Sequence, residues 1–164
     1  MEYAVVEPDV VEIREGRAEE IVLGNARRKA RAGLAGKHSG TVVLGADTEV
    51  VLDGAALGQP ADANRARASL EALSGRTHDV LTGVVFASHA DERSGVARSR
   101  VTFRELDAAT LDLYLSSGEW RGRAGAYAIQ GLGSILIERL EGDFSNVVGL
   151  PVRVVIELAP EIFK

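Results

Sequence analysis

Residues 41–54 read TVVLGADTEVVLDG, and this stretch decides the fold prediction. Its apolar, β-branched and small residues favour a strand, and Asp53-Gly54 is a strong signal for a two-residue hairpin turn. Asp47 places a carboxylate inside the apolar run. Such a group has to find hydrogen-bond donors or a cation, or its pKa rises. Asp47 is therefore either a structural residue of a local turn or a general base or metal ligand at the rim of a cleft.

The rest of the chain alternates helix and strand signals. Further strands are predicted over 3–7, 77–88, 97–104 and 134–140, with a polar loop over 90–95, and helices over 17–35, 61–73, 108–117 and 150–159. Asp62 and Asp107 are expected to cap the helices that follow them. This order indicates one domain over residues 1–164, of the α/β or α+β class, with mixed strand pairing.

Composition limits the classes of partner. The chain has 164 residues, 46% of them hydrophobic, a net charge of −5 and no cysteine. The size and apolar content fit one globular domain. The acidity argues against nucleic acid and anionic membranes as partners, and the lack of cysteine excludes disulfides and thiolate metal ligands. No signal peptide or membrane-spanning stretch is recognisable, so a cytoplasmic protein is expected.

One lysine stands out on the first predicted helix. At 100° per residue, Val22, Ala26 and Ala30 share an apolar arc opposite a run of arginines, and Lys29 falls on the apolar side. An unpaired buried ammonium costs several kcal/mol. Lys29 is therefore either paired with an acid or placed at the rim of the arc, with its head in water.

Other polar residues are weaker candidates when each is taken alone. Glu12 and Asp47 together could hold a divalent cation through carboxylate oxygens, although Glu12 by itself is an ordinary surface acid. Thr48 could offer its hydroxyl to a ligand, but threonine is common in strands. Arg121 and Arg123 could meet phosphate oxygens or belong to a solvated loop. Gln59 lies in a turn before a helix, where a polar side chain is usually solvated.

Residues 125–133, GAYAIQGLG, combine glycines, an aromatic ring and an amide without any charge. The glycines permit close backbone approach, and Gln130 can present both a donor and an acceptor to a pyrimidine edge. A glutamine that satisfies loop backbone is the alternative. The three histidines are too scattered to predict a zinc site or a triad, and no phosphate-binding P-loop is present.

Four stretches together resemble the ordered motifs of the Maf family. These are Leu44-Gly-Ala-Asp-Thr48, Leu73-Ser-Gly-Arg-Thr-His78 with Thr82-Gly83, Gly125-Ala-Tyr-Ala-Ile-Gln-Gly131 and Asn146-Val-Val-Gly-Leu-Pro151. The resemblance runs from end to end. It implies an elongated, two-lobed mixed-sheet fold like that of the inosine triphosphate pyrophosphatases, with a central cleft.

The resemblance also implies an activity. Family members are hydrolases of nucleotide metabolism that convert nucleoside triphosphates to the monophosphate and pyrophosphate with a divalent cation, Mg²⁺ or Mn²⁺. Thr48 and Gln130 look like the dTTP/UTP branch and would select the base, while Asp47 would accept a proton. By the resemblance Glu12 and Lys29 would face the metal and the phosphates. The residue types themselves add Asp47 as a metal ligand beside Glu12, and Gln59 and Arg123 as further phosphate contacts. A homodimer is the expected assembly.

Two departures from the family pattern bear on these expectations. The family opens with a strand and a Ser-x-Ser-Pro-Arg-Arg loop, and the printed sequence starts where the second strand is expected. Gln59 stands where the family usually has lysine, and glutamine brings no positive charge to a phosphate. The alternative function is therefore a nucleotide-binding regulatory protein, of the kind that arrests septum formation, with little or no catalysis.

Overall fold

The predicted hairpin is present and sets one edge of the sheet. The computed structural model describes residues 3–163. Strand β1 (Val43–Leu52) turns through Asp53 and Gly54 into the short strand β2 (Ala55–Ala56). Asp53 has φ 51° and Gly54 has φ 83°, so both lie in the left-handed region that a type I′ hairpin turn requires.

Three longer pairings complete the sheet. Strands β3 (Thr77–Ala87), β4 (Glu92–Phe103) and β5 (Ile137–Glu141) follow β1 in the order β2-β1-β3-β4-β5. The α/β class is confirmed. Within residues 3–163 every pairing is antiparallel, so the parallel pairing that a mixed sheet also needs is absent from this part of the chain.

Helix α1 (Ala18–Leu34) covers one face of the sheet, as its apolar arc predicts. Val22, Ala26 and Ala30 are fully buried there. Two strand glycines allow the approach, because a Cβ on Gly45 would overlap the carbonyl oxygen of Ala26 and one on Gly83 would overlap that of Val22. The close packing brings the polar ends of α1 side chains to the level of β1.

The opposite face is covered by the later helices. These are α2 (Ala63–Leu73), α3 (Ala108–Ser117), α4 (Phe144–Val148) and α5 (Val152–Leu158), with 3₁₀ turns at Ala124–Ala126, Gly131–Leu136 and Pro160–Phe163. The predicted caps are confirmed: Asp62 accepts from the backbone N–H of Arg65, and Asp107 from that of Thr110. The main core lies between this layer and the hairpin end of the sheet. No helix in the described range is long and apolar enough to cross a bilayer.

Several predicted boundaries were wrong. Residues 3–7 are not in a strand, and Tyr3 and Val5 are 82% and 81% exposed, because no described strand pairs with them. Residues 92–95 of the predicted loop belong to β4, where their backbone pairs with β3. Residues 134–136 form a 3₁₀ turn, so the last strand begins only at Ile137. Each error concerns pairing with a distant segment, which local sequence does not encode.

Candidate functional site

A cleft of about 260 Å³ lies along the edge of β1 that β2 leaves open. It is lined by six residues that the sequence analysis singled out: Lys29, Asp47, Thr48, Gln59, Arg123 and Gln130. They come from α1, from β1, from the turn after β2 and from the glycine-rich segment after α3. Four parts of the chain that are distant in sequence therefore meet at one strand edge.

Lys29 joins two carboxylates at this cleft. Its Nζ lies 2.5 Å from Asp47 Oδ1 and 2.8 Å from Glu12 Oε1. The Asp47 side chain is only 10% exposed, whereas that of Glu12 is 38% exposed. Of the two interpretations of Lys29, the structure therefore supports the paired one. Glu12 does not line the cleft itself but reaches it through this lysine.

Asn25 is a buried residue of the site that the sequence analysis missed. Its Nδ2 donates to Asp47 Oδ2 at 3.1 Å and to the carbonyl of Ile13 at 3.1 Å, while its Oδ1 accepts from the Ile13 backbone N–H at 2.7 Å. It therefore fixes Asp47 and also the segment that follows Glu12. The available signal was its position on the apolar arc of α1, one turn before Lys29.

Burial and pairing compete at this ion pair. Burial raises the pKa of Asp47, and the hydrogen bond and charge of Lys29 offset that effect only in part. For Lys29, burial acts to lower the pKa, but the hydrogen bonds to Asp47 and Glu12 outweigh it, so the pKa is raised. Lys29 stays charged, and Asp47 is a stronger proton acceptor than an exposed aspartate.

Glu49 is a second acid that the sequence analysis did not single out. Burial, with the charge of Asp47, raises the pKa of Glu49 to about 7. Its Oε2 accepts from the backbone N–H of Gly58 at 3.3 Å, and the Gly58 carbonyl accepts from Gly125 N–H at 2.8 Å. Glu49 therefore ties β1 to the turn that holds Gln59, and Gly58 ties that turn to the glycine-rich segment. The signal for the position of Glu49 was strand alternation, because Glu49 lies two residues after Asp47 and therefore on the same face of β1.

Thr48 points to the other face of β1 and meets neutral groups. Its Oγ1 lies 2.8 Å from Thr82 Oγ1, and Thr82 donates to the backbone carbonyl of Asn146 at 3.0 Å. Thr82 and Asn146 are fully buried, whereas Thr48 is half-buried at the cleft. One side of β1 thus offers the cleft charged groups, and the other offers it a hydroxyl.

The glycine-rich segment forms the opposite wall. Tyr127 lines the cleft, and its hydroxyl lies 2.8 Å from Nε2 of the buried His78. Gln130 and Arg123 are exposed, and both reach the cleft. Arg121 does not line it; its guanidinium lies over the Trp120 ring, 4.9 Å from the ring centre. Of the two arginines, only Arg123 lines this cleft.

A larger depression of about 520 Å³ lies elsewhere on the α1 face. Its charged groups largely pair with one another: Arg98 with Glu19 and Asp79, and Arg100 with Asp79 and Glu141. Such exposed pairs are ordinary surface features. The smaller cleft, which combines a partly buried carboxylate with unpaired polar side chains at its mouth, is the better candidate site.

Comparison with known proteins confirms the resemblance. A family model described as Maf-like protein matches residues 1–162. The dTTP/UTP pyrophosphatase of Myxococcus xanthus is 49% identical over 136 residues, which cover 83% of this chain and 69% of that protein. The one of Pyrococcus horikoshii is 45% identical over 85% of this chain and 74% of its own length. The one of Deinococcus radiodurans is 45% identical, with 94% and 78% covered. This chain belongs to the Maf family.

Proposed function

We propose that this protein hydrolyses dTTP and UTP, or modified pyrimidine nucleotides, to the nucleoside monophosphate and pyrophosphate. The observation that supports this most is the partly buried Asp47, held by Lys29 and Asn25 in a cleft large enough for part of a nucleotide. Relatives named dTTP/UTP pyrophosphatase, 45–49% identical, support the same activity and base.

The reaction needs one proton acceptor and several positive or hydrogen-bonding groups. Water attacks the α-phosphorus, the bond from that phosphorus to the bridging oxygen breaks, and pyrophosphate leaves with its electron pair. Asp47 takes the proton of the attacking water. Lys29 and Arg123 stabilise negative charge on the phosphate oxygens, and Gln59 donates a neutral hydrogen bond to them. Thr48 and Gln130 contact the base.

The acidic residues fit a divalent cation that is held mainly by the substrate. Within residues 3–163 no group of three or more metal-ligating side chains is clustered. Mg²⁺ usually takes one or two carboxylates and completes its shell with phosphate oxygens and water. Glu12 and Asp47, which Lys29 Nζ joins in this structure, would supply those carboxylates. A bound Mg²⁺ or Mn²⁺ would offset the charge of the triphosphate. The predicted homodimer stays a prediction.

The test is the variant Asp47→Asn, which preserves shape but removes the proton acceptor. Release of pyrophosphate from dTTP should fall about a thousandfold, while dTTP binding measured by calorimetry persists. Asp79→Asn is the matched control, because Asp79 lies on the same face of the neighbouring strand, outside the cleft. Turnover within tenfold of the wild-type rate in Asp47→Asn would refute the role of Asp47.

A wild-type protein that binds dTTP but releases no pyrophosphate would instead indicate the regulatory, non-catalytic alternative. Calorimetric binding of dTTP and release of pyrophosphate, both measured on the wild-type protein, distinguish the two functions. Turnover of dTTP by the wild-type protein excludes that alternative.

A further inference from the structure

Three oxygens form a chain that leads from the cleft into the core. Thr48 Oγ1 lies 2.8 Å from Thr82 Oγ1, and Thr82 Oγ1 lies 3.0 Å from the backbone carbonyl oxygen of Asn146. Thr48 and Thr82 are directly opposite each other in the β1–β3 pairing. Only the Thr48 end of this chain borders the cleft.

The carbonyl at the inner end determines the direction of both hydrogen bonds. A carbonyl oxygen can only accept, so the single proton of Thr82 has to point to Asn146. With the reverse order, the lone pairs of Thr82 and Asn146 would face each other in a buried place without a proton between them. Thr82 therefore accepts from Thr48, and the Thr48 proton points into the protein.

The inner end of the chain is held rigidly. The Asn146 amide donates to the Val80 carbonyl at 3.0 Å and to Ser99 Oγ at 3.0 Å. Exchanging its amide nitrogen and oxygen would set two acceptors against each other at Val80. The backbone carbonyl of Asn146 also accepts from Gly149 N–H at 3.0 Å, at the end of α4. This network keeps the carbonyl in place beneath Thr82.

We propose that Thr82 and Asn146 are positioning residues for base selection, because they leave Thr48 only lone pairs to offer the cleft. Thr48 then accepts a hydrogen bond and cannot donate one. This inference rests on the proposed function, and it specifies the base: one whose ring nitrogen carries a proton at the edge facing Thr48.

Uracil and thymine meet this condition, and cytosine does not. The N3 atom of uracil or thymine carries a proton, whereas the N3 atom of cytosine is an acceptor. Cytosine would set a ring lone pair against the lone pairs of Thr48, and neither side could supply the proton. Discrimination between these bases therefore depends on the buried residues behind Thr48 as well as on Thr48 itself.

The decisive variant is Thr82→Val, which keeps the branched shape but removes the acceptor for the Thr48 proton. Thr48 can then rotate its proton toward the cleft. We expect dCTP hydrolysis to rise while dTTP hydrolysis stays within a few-fold, so that the ratio of their kcat/KM values falls about tenfold. A variant that was merely damaged would lose activity on both nucleotides in parallel.

Two control variants accompany this test. Thr82→Ser keeps the hydroxyl and should keep the wild-type ratio. Thr77→Val breaks an equivalent pair of threonine hydroxyls, 2.9 Å apart between Thr77 and Thr102, at the exposed end of the same strand, and should also leave the ratio unchanged. An unchanged ratio in Thr82→Val, or an equal shift in Thr82→Ser, would overturn the proposal.

Calorimetry with dTMP and dCMP measures the same preference without turnover. The wild-type protein should bind dTMP more tightly, and Thr82→Val should narrow the difference by a similar factor. If the wild-type protein hydrolyses neither triphosphate, the proposed function fails while this binding ratio still tests the role of Thr82. If hydrolysis is normal but neither ratio moves in Thr82→Val, the inference alone is wrong.

Discussion

The two faces of β1 hold different kinds of chemistry. On the face that packs against α1, Asp47 and Glu49 are carboxylates, and Lys29 reaches the first of them. On the opposite face, Thr48 meets the hydroxyl of Thr82 and, behind it, a backbone carbonyl. Strand alternation separates the charged groups from the neutral ones, and the open edge of β1 lets both reach one cleft. We therefore predict that variants can change the reaction and the base selection independently.

The effect of removing one polar group also differs between the two faces of β1. The charged face is partly solvated, with the Lys29 side chain 26% exposed, so losing one charge leaves the others some access to water. On the neutral face Thr82 and Asn146 are fully buried, and an unsatisfied polar group there costs about 1–3 kcal/mol. Variants on the charged face should thus affect turnover most, and those on the neutral face should affect selectivity and stability.

Among the variants that compare the two faces of β1, the largest effect is expected from Lys29→Met. This variant removes the cation proposed to stabilise the phosphate charge. It leaves only the hydrogen bond from Asn25 to oppose the effect of burial, so the pKa of Asp47 should rise further. We expect kcat for dTTP to fall about a hundredfold, as for loss of one charge-stabilising donor. The dTTP to dCTP ratio should stay at its wild-type value, because Lys29 lies on the charged face. Steady-state kinetics with both nucleotides measures both quantities.

Arg31→Met is the matched control for that variant. Arg31 lies on the same helix, pairs with Glu92 on the surface and is 67% exposed. Its loss should leave turnover unchanged. If Lys29→Met shifted the base ratio as strongly as kcat, the separation between the two faces of β1 would be disproved.

The extent to which the sequence could predict this arrangement depends on how local each feature is. Asp47 and Lys29 were found because each breaks an apolar pattern within its own strand or helix. Gln130 was singled out through its motif, Gln59 through a departure from the family pattern and Arg123 as a cation that could meet phosphate oxygens, and the structure places all three in the same cleft. Their roles stay predictions.

Thr82 and Asn146 could not be connected to Thr48 from sequence, although both lie in the quoted motifs. Their contact depends on the register between β1 and β3, which spans 34 residues, and on the docking of a five-residue helix. Residues 3–7 are the converse case. They have a strand pattern, but no described strand pairs with them, and they do not form a strand. Local pattern identified the chemical groups, and long-range pairing determined which of them touch.

A smaller effect, on stability, is expected at His78 on the neutral face. Burial lowers the pKa of His78 to about 4, so the folded protein keeps this ring neutral where the unfolded chain, at its ordinary pKa of 6.5, binds a proton. Its contribution is fully present above pH 6.5 and is lost as pH falls toward 4. At pH 4.5 the loss should be about 2 kcal/mol, and His78→Gln should abolish it.

Urea unfolding of the wild-type protein and the variant at pH 7 and pH 4.5 measures this difference. His89→Gln is the control, since His89 is exposed and should leave the pH dependence intact. Because His78 holds the hydroxyl of Tyr127 in the cleft wall, His78→Gln should also raise KM more than it lowers kcat. An equal pH dependence in both proteins would mean that His78 is not kept neutral by burial.

The smallest effect is expected from Gln59→Lys, which adds a positive charge at the exposed mouth of the cleft. A lysine there can make a charge-assisted hydrogen bond to the triphosphate, where glutamine makes a neutral one. Because the position is solvated, we expect kcat/KM for dTTP to rise only about threefold, and the gain to fade at high salt. Ala68→Lys adds the same charge on the exposed side of α2, outside the cleft, and should give no gain. An equal gain in both variants would indicate general attraction of the nucleotide to a less acidic protein, whereas a gain confined to Gln59→Lys would place the phosphates beside the charged face of β1.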